Sequence, residues 1–286
     1  MKVGNLPRVD AGRDDHIVRA DRETYTHGHA ESVLRSHARR TVADSAAYVA
    51  HRLVPGVDVL DVGCGPGTIS VDMAARVAPG RVLALDRSAA PLESARALAA
   101  AAGLDTIMFG TGDVYAIDAP DDTFDVVHAH QVLQHLGDPV AALREMLRVC
   151  RPDGVVAARD ADYAAMTWYP SDPRLDRWQE IYRAVARGNG AEPDAARHLL
   201  AWAHAAGAGS VEPSASVWCY ATAADRAWWG GMWADRIIES AIAEQAVEGG
   251  HADAAELRSI SAAWREWAEH PDGWFAIVHG EIVCVP

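Results

Sequence analysis

Four short clusters in this chain carry residues whose types and spacing suit ligand chemistry. The first is Val59-Leu60-Asp61-Val62-Gly63-Cys64-Gly65-Pro66-Gly67-Thr68, in which glycines alternate directly after a run of strand formers. Glycine here lets the main chain turn sharply and brings a ligand against the backbone with no Cβ in the way. The amides at the start of a following helix favour a negative group. The spacing is Gly-x-Gly-x-Gly; a dinucleotide fingerprint wants its third glycine one residue later, where this chain has Thr68. The second cluster is Leu83-Ala84-Leu85-Asp86, whose carboxylate can accept from both hydroxyls of a ribose and would repel a 2′-phosphate. The third is Gly112-Asp113-Val114, where an Asp can accept from an adenine amino group. The fourth is His128-Ala129-His130-Gln131, which opens onto the cleft at the carboxyl edge of a sheet.

The elements around these clusters have a regular rhythm. From about Val57 to Asp160, short apolar runs alternate with helical segments, the pattern of a parallel sheet covered on both faces. Strands are predicted at Val57–Val62, Arg81–Asp86, Thr106–Gly110, Phe124–His130 and Val155–Asp160. Helices are predicted at Thr68–Val77, Ser88 to about Ala102, and from Asp138-Pro139 onward, with Asp as N-cap, Pro in the first turn and Val140, Leu143, Leu147 and Cys150 on one face. After Asp160 come helices at Arg174–Arg187 and Asp194–Ala206, a strand at Val211–Tyr220, a helical region from Ala223 to His270, and a last strand at Phe275–Val285. The region between the last two strands is far longer than a hairpin needs and is expected to cap the substrate. Upstream, a helix is expected from about Glu31 to Leu53. The expected organisation is therefore an N-terminal helical lid segment (1–53), a ligand-binding core (54–160), the rest of the α/β core with a substrate loop (161–222), a helical cap insertion (223–270) and the last core strand (271–286).

The VLDVGCGPGT loop, Asp86, the GDV step and the stretch FDVVHAHQVLQHLGDPVAALREMLRVCRPDG together resemble the class I S-adenosylmethionine (SAM)-dependent methyltransferases, more closely the group similar to ubiquinone/menaquinone-biosynthesis methyltransferases. The resemblance covers roughly Leu53 to Asp160. It implies an α/β Rossmann-like sheet of parallel strands with an antiparallel last strand, SAM as methyl donor and S-adenosylhomocysteine as product. It also implies that Gly63, Gly65 and Gly67 line the methionine end and that Asp61 orders its polar groups. Asp86 would hold the ribose, Arg87 would pack near the adenine, and Asp113 with the Val114 amide would read the adenine edge. The His130 carbonyl would meet the methionine amino group, beside Gln131. An N-terminal segment folds over the cofactor in similar enzymes, which makes Tyr25 and Arg40 candidates for the methionine carboxylate.

Catalytic and acceptor residues are less sharply marked. His130 and His135 flank the expected transfer site, and either imidazole could act as general base; His135 could equally orient its loop. His128, inside its strand, reads as a satisfied core histidine. Asp160 and Asp162 could accept a proton or hold a cation, or could be plain loop acids. Tyr163, Trp168, Trp229 and Trp233 are candidate acceptor contacts, although Trp229, Trp233 and Ile237 recur at helical spacing and such stripes more often pack a core, as do Trp264 and Trp267 with Leu257 and Ile260. His27-x-His29 lacks further ligands nearby, so no metal is expected; the sulfonium supplies the chemical drive.

Composition narrows the choice. Half of the 286 residues are apolar and 23% are charged, enough for a real core. The net charge of -14 argues against a nucleic-acid partner, which needs clustered cations. Cys64, Cys150, Cys219 and Cys284 form no close pair of the kind zinc or redox chemistry uses, and no apolar run suits a signal peptide or a membrane span. The expectation is a cytoplasmic enzyme acting on a small organic molecule such as a secondary metabolite or quinone-like acceptor, with a homodimer open. A SAM-binding regulator or inactive partner subunit, a nicotinamide-dependent oxidoreductase, and a protein or nucleic-acid methyltransferase are the competing readings.

Overall fold

Runs of valine and leucine make the strands, and the glycines and prolines between them set where each one stops. The computed structural model describes residues 40–286. Its strands are β1 (Val59–Val62), β2 (Val82–Asp86), β3 (Ile107–Thr111), β4 (Phe124–His130), β5 (Cys150–Ala161), β6 (Thr167–Tyr169), β7 (Ser210–Tyr220) and β8 (Trp274–Val285). They form one sheet in the order β3-β2-β1-β4-β5-β8. β1 to β5 pair in parallel, and β8 runs antiparallel to β5. β6 pairs with the start of β8, and β7 lies along its opposite edge. β1 is flanked by β2 and β4, so the strand order reverses there, and a crevice opens beyond the carboxyl ends of β1 and β4. This is the Rossmann-like α/β sheet with an antiparallel last strand.

The helices are α1 (Val42–Ser45), α2 (Thr68–Val77), α3 (Ala90–Ala101), α4 (Pro139–Val149), α5 (Pro173–Gly188), α6 (Leu199–Ala206), α7 (Ala223–Glu239), α8 (Ala241–Glu248) and α9 (Ala254–Glu269). The helix expected over Glu31 to Leu53 is not continuous in its described part. Thr41 and Asp44 form a capping box that starts α1 afresh, Ala46 leaves helical geometry at φ -137°, and a 3₁₀ turn follows over Ala47–Arg52. Asp138 caps α4 as expected, accepting from the Ala141 amide at 2.9 Å. The buried face of α4 is Ala142, Leu143, Met146 and Val149, whereas Val140 and Leu147 are half-buried and Cys150 already belongs to β5. At 3.6 residues per turn the buried face is turned about 90° around the helix from the predicted stripe, and the two share only Leu143.

The helical region expected between β7 and β8 consists of three helices, α7 to α9. With α5 they enclose an aromatic core. Trp178 is fully buried and meets the rings of Trp233 at 4.6 Å and Trp264 at 4.9 Å, both edge-on. Phe275 and Ile277 of β8 join this core, while Ile282 and Cys284 of the same strand pack with Leu60, Val127 and Val156 beneath the parallel sheet.

Candidate active site

A cavity of about 500 Å³ opens at the carboxyl edge of the sheet, a size usual for small-molecule sites. One half of its wall comes from the ends of β1, β2 and β3. Asp61, Gly63, Gly65, Asp86, Arg87, Asp113 and Val114 all line it. Gly63 sits at φ +69°, and a Cβ there would collide with the Val132 side chain, so only glycine passes this turn. Asp86 accepts from the Gly65 amide and from the Ser88 amide, each at 2.9 Å, which fixes its carboxylate between the loop and the next helix. Asp113 is oriented by the Tyr115 amide at 2.9 Å. Asp61 is held from behind by Ser70 and by His128 Nδ1, the latter at 2.8 Å. His128 is thus a buried partner of Asp61 inside the sheet.

Gly67 departs from its expected place. It caps α2 in the left-handed region at φ +78°, and a Cβ would sit 2.7 Å from the Ala95 Cβ and 3.1 Å from the Phe109 ring. Its bareness serves the close packing of α2 on α3, and it is not on the cavity wall.

Between the two halves stand Arg40, His130, Gln131 and His135. The Arg40 guanidinium donates to Gln131 Oε1 at 2.6 Å, and the Gln131 amide meets His279 Nε2 at 3.0 Å. Gln131 carries φ +54°, a strained position for a residue with a side chain and one that clusters at functional sites. His130 is 6% exposed, and neither ring nitrogen has a hydrogen-bond partner among the described residues. Burial, helped by the Arg40 and Arg159 charges, holds it well below the usual imidazole range, so the ring is neutral at ordinary pH. His135 is pushed down to about 4, by burial and by Arg40. Its Nε2 lies 3.1 Å from the Gln134 side-chain amide.

Asp160 is fully buried behind this row and does not line the cavity. Its Oδ1 accepts from the Gln134 amide at 3.1 Å, and Oδ2 has no partner among the described residues. Burial pushes its carboxyl up to about 7, against a smaller opposing pull from the Gln134 and Leu133 amides. The folded chain therefore prefers the neutral acid. That contribution to stability is complete below the unfolded value of about 3.9 and is lost as the pH rises through the folded value. Asp160→Asn keeps the acceptor oxygen and removes the charge. In urea titrations its stability relative to wild type should grow by about 2–4 kcal/mol between pH 4 and pH 8; a pH-independent difference would mean that Asp160 does not titrate in this window.

The other half of the cavity is aromatic. Tyr163, Met166, Trp218, Tyr220, Trp228 and Trp229 line it, with Arg236 and Ile277. Tyr220 stacks on Trp229 at 4.4 Å and 8°. Trp218 is placed by its indole N–H donating to the Asp44 carbonyl at 2.8 Å and by the Arg159 guanidinium 4.7 Å from its ring; Arg159 is itself paired with Glu281 at 3.1 Å. Of the acceptor candidates, Tyr163 and Trp229 reach the cavity and three do not. Asp162 is tied to Arg197 at 2.6 and 2.7 Å and caps the turn at Tyr163–Ala165. Trp168 stacks on Phe275 at 5.7 Å, and Trp233 is fully enclosed in the aromatic core. Tyr25 and the His27-x-His29 pair lie outside the described residues. Trp218, Tyr220, Trp228 and Arg236 were not singled out from the sequence. The alternation of Ser216, Trp218 and Tyr220 along β7 was the available signal, since residues two apart share a strand face.

Among the described residues no helix is long and apolar enough to cross a membrane, and no group of three or more His, Cys, Asp or Glu could hold a metal ion. Comparison with known proteins matches residues 53–217 to the family model of a methyltransferase domain. An uncharacterized methyltransferase of Schizosaccharomyces pombe is 34% identical over 273 residues, 92% of this chain and 96% of that protein. A demethylmenaquinone methyltransferase of Listeria monocytogenes is 32% identical over 137 residues, 48% of this chain and 54% of that protein. Among solved structures, the YcgJ protein of Bacillus subtilis superimposes with a TM-score of 0.55 at 19% identity, over 84% of this chain and 96% of that one, a likeness of fold.

Proposed function

Because this chain belongs to the class I SAM-dependent methyltransferases, we propose that it methylates an O, N or C atom of a small organic molecule bound in the aromatic half of the cavity. The observation that carries this reading is the continuity of one cavity from the glycine loop to the aromatic wall. The glycine-loop half suits SAM chemically, with a bare backbone at Gly63 and Gly65 for the methionine end. Asp86 at the end of β2 would take the ribose hydroxyls, and Asp113 with the Val114 amide would take the adenine edge, with Arg87 packed beside it. Arg40 would neutralise the methionine carboxylate, and the His130 carbonyl and Gln131 would meet its amino group. Residues 223–270 would close the acceptor end as a cap.

SAM, when bound, supplies an electrophilic methyl on a sulfonium, whose C–S bonding pair returns to sulfur as the acceptor's lone pair takes the methyl. The protein's part is to hold the acceptor atom in line with that methyl and to exclude water, which can supply much of the barrier reduction. An acceptor that sheds a proton needs a base, and His130 fills that role: neutral, on the cavity wall, with both ring nitrogens uncommitted among the described residues. His135, engaged by Gln134, orients its loop. His130→Gln should lower kcat by about 10²–10⁴-fold and leave SAM affinity unchanged. In wild type kcat should fall as acid protonates the imidazole, below its ordinary value of about 6.5; the variant should lose that limb. If His135→Gln instead produced both effects, the base would be reassigned.

Incubation with methyl-labelled SAM and fractionated host extract tests the acceptor class. Label in a small-molecule fraction is expected. Label in protein or nucleic acid overturns the acceptor class, and tight SAM binding without transfer to any fraction would favour a regulatory protein.

A further inference from the structure

Gln131 is pinned through both its main chain and its side chain. Its main-chain amide donates to the Arg159 carbonyl at 2.7 Å, and its side-chain oxygen accepts from the Arg40 guanidinium at 2.6 Å. A guanidinium carries donors only, so the oxygen of the Gln131 side chain faces Arg40 and its NH2 group faces the other way. There it meets Nε2 of His279 at 3.0 Å. That nitrogen has to accept, which requires a neutral ring with its proton on Nδ1. An imidazolium, or the other tautomer, would set N–H against N–H.

His279 comes from β8, 148 positions along the chain from Gln131, and is fully buried off the cavity wall. The sheet sets its place, opposite Ala161 of β5 and Ser216 of β7, with its ring 4.4 Å from Trp218 and 6.3 Å from His130. Burial, with the charges of Arg159 and Arg40, holds the imidazole well below its usual range, against a smaller pull from the Ile277 carbonyl. The neutral form that the contact requires is thus the form the fold supplies at ordinary pH. A side-chain amide can turn over at little cost unless its neighbours tell oxygen from nitrogen, and Arg40 and His279 together do so. Building on the methyl-transfer reading, we propose that His279 is a positioning residue for the donor end of the cavity. By accepting from the Gln131 amide it keeps that side chain locked on Arg40, and so sets how tightly the methionine end of SAM is held without touching it.

Calorimetric titration of the full chain with S-adenosylhomocysteine separates this role from packing. His279→Phe keeps a flat buried ring but removes the acceptor, and should weaken binding about 10-fold. His279→Gln loses the ring but can place an oxygen near the same point, and should bind within about 3-fold of wild type. A packing role predicts the reverse order, with phenylalanine tolerated and glutamine not, and that result would overturn the proposal. In a Gln131→Ala background His279→Phe should cost nothing further; an additive loss would mean that His279 acts by another route. Nitrogen NMR of the wild-type protein decides the matter even if the variants do not fold. At pH 7 the His279 ring should be neutral with its proton on Nδ1, and a proton on Nε2 would overturn the proposal. Failure of S-adenosylhomocysteine to bind the wild type would strike the methyl-transfer reading instead.

Discussion

Replacing Asp86 with alanine should weaken SAM binding by about 100-fold or more in calorimetric titration. Each hydrogen bond to a charged acceptor contributes about 1.5–3 kcal/mol, and two ribose hydroxyls would be lost together. The carboxylate also takes the Gly65 and Ser88 amides, so its removal loosens the glycine loop at the same time. Asp86→Asn separates the two effects. It keeps an oxygen for one amide and should retain the melting temperature while losing most of the affinity. If the alanine variant bound SAM as tightly as wild type, Asp86 would be a loop-ordering residue and the ribose would lie elsewhere.

The second large effect concerns stability. Trp178 is fully enclosed, packed edge-on by Trp233 and Trp264. Trp178→Ala should cost about 3–5 kcal/mol through lost contacts and the cavity left behind. For a chain of this size that corresponds to a fall in Tm of about 6–20 °C by scanning calorimetry. Because Trp178 is distant in sequence and packing from the glycine loop, SAM affinity measured below the transition should hold. A fall of a degree or two would mean that neighbouring rings collapse into the gap.

The parallel half of the fold could be read from the chain because each strand there is short, apolar and cut off by a glycine, proline or aspartate. Phe124–His130 and the Asp138 cap fell where the pattern put them. The glycine loop and Asp86 were legible for the same reason, since each stands at the carboxyl end of one of these strands, β1 and β2. Gly67 was misplaced because its neighbours, Ala95 and Phe109, lie about 30 and 40 residues away and no local pattern reveals them. Trp233 and Trp168 could not be told from pocket residues by spacing, because the same helical stripe serves a core or a wall. The aromatic half was hidden further still. It is assembled where β7, α7 and β8 meet, and pairing of Trp218 with Ile277 across two strands is a product of the completed sheet.

β8 belongs to both interiors: Phe275 and Ile277 sit in the aromatic core, Ile282 and Cys284 among the apolar side chains beneath the parallel strands. A single stretch of backbone thus links the compartment that would hold the acceptor to the one that would hold the donor. Such a chain should lose both in one cooperative unit, with a single calorimetric transition and no stable half-folded species. Ligand at the glycine loop should accordingly slow amide hydrogen exchange in α7 and α9, which form none of its contacts, because their opening and the loop's are paid from the same free energy.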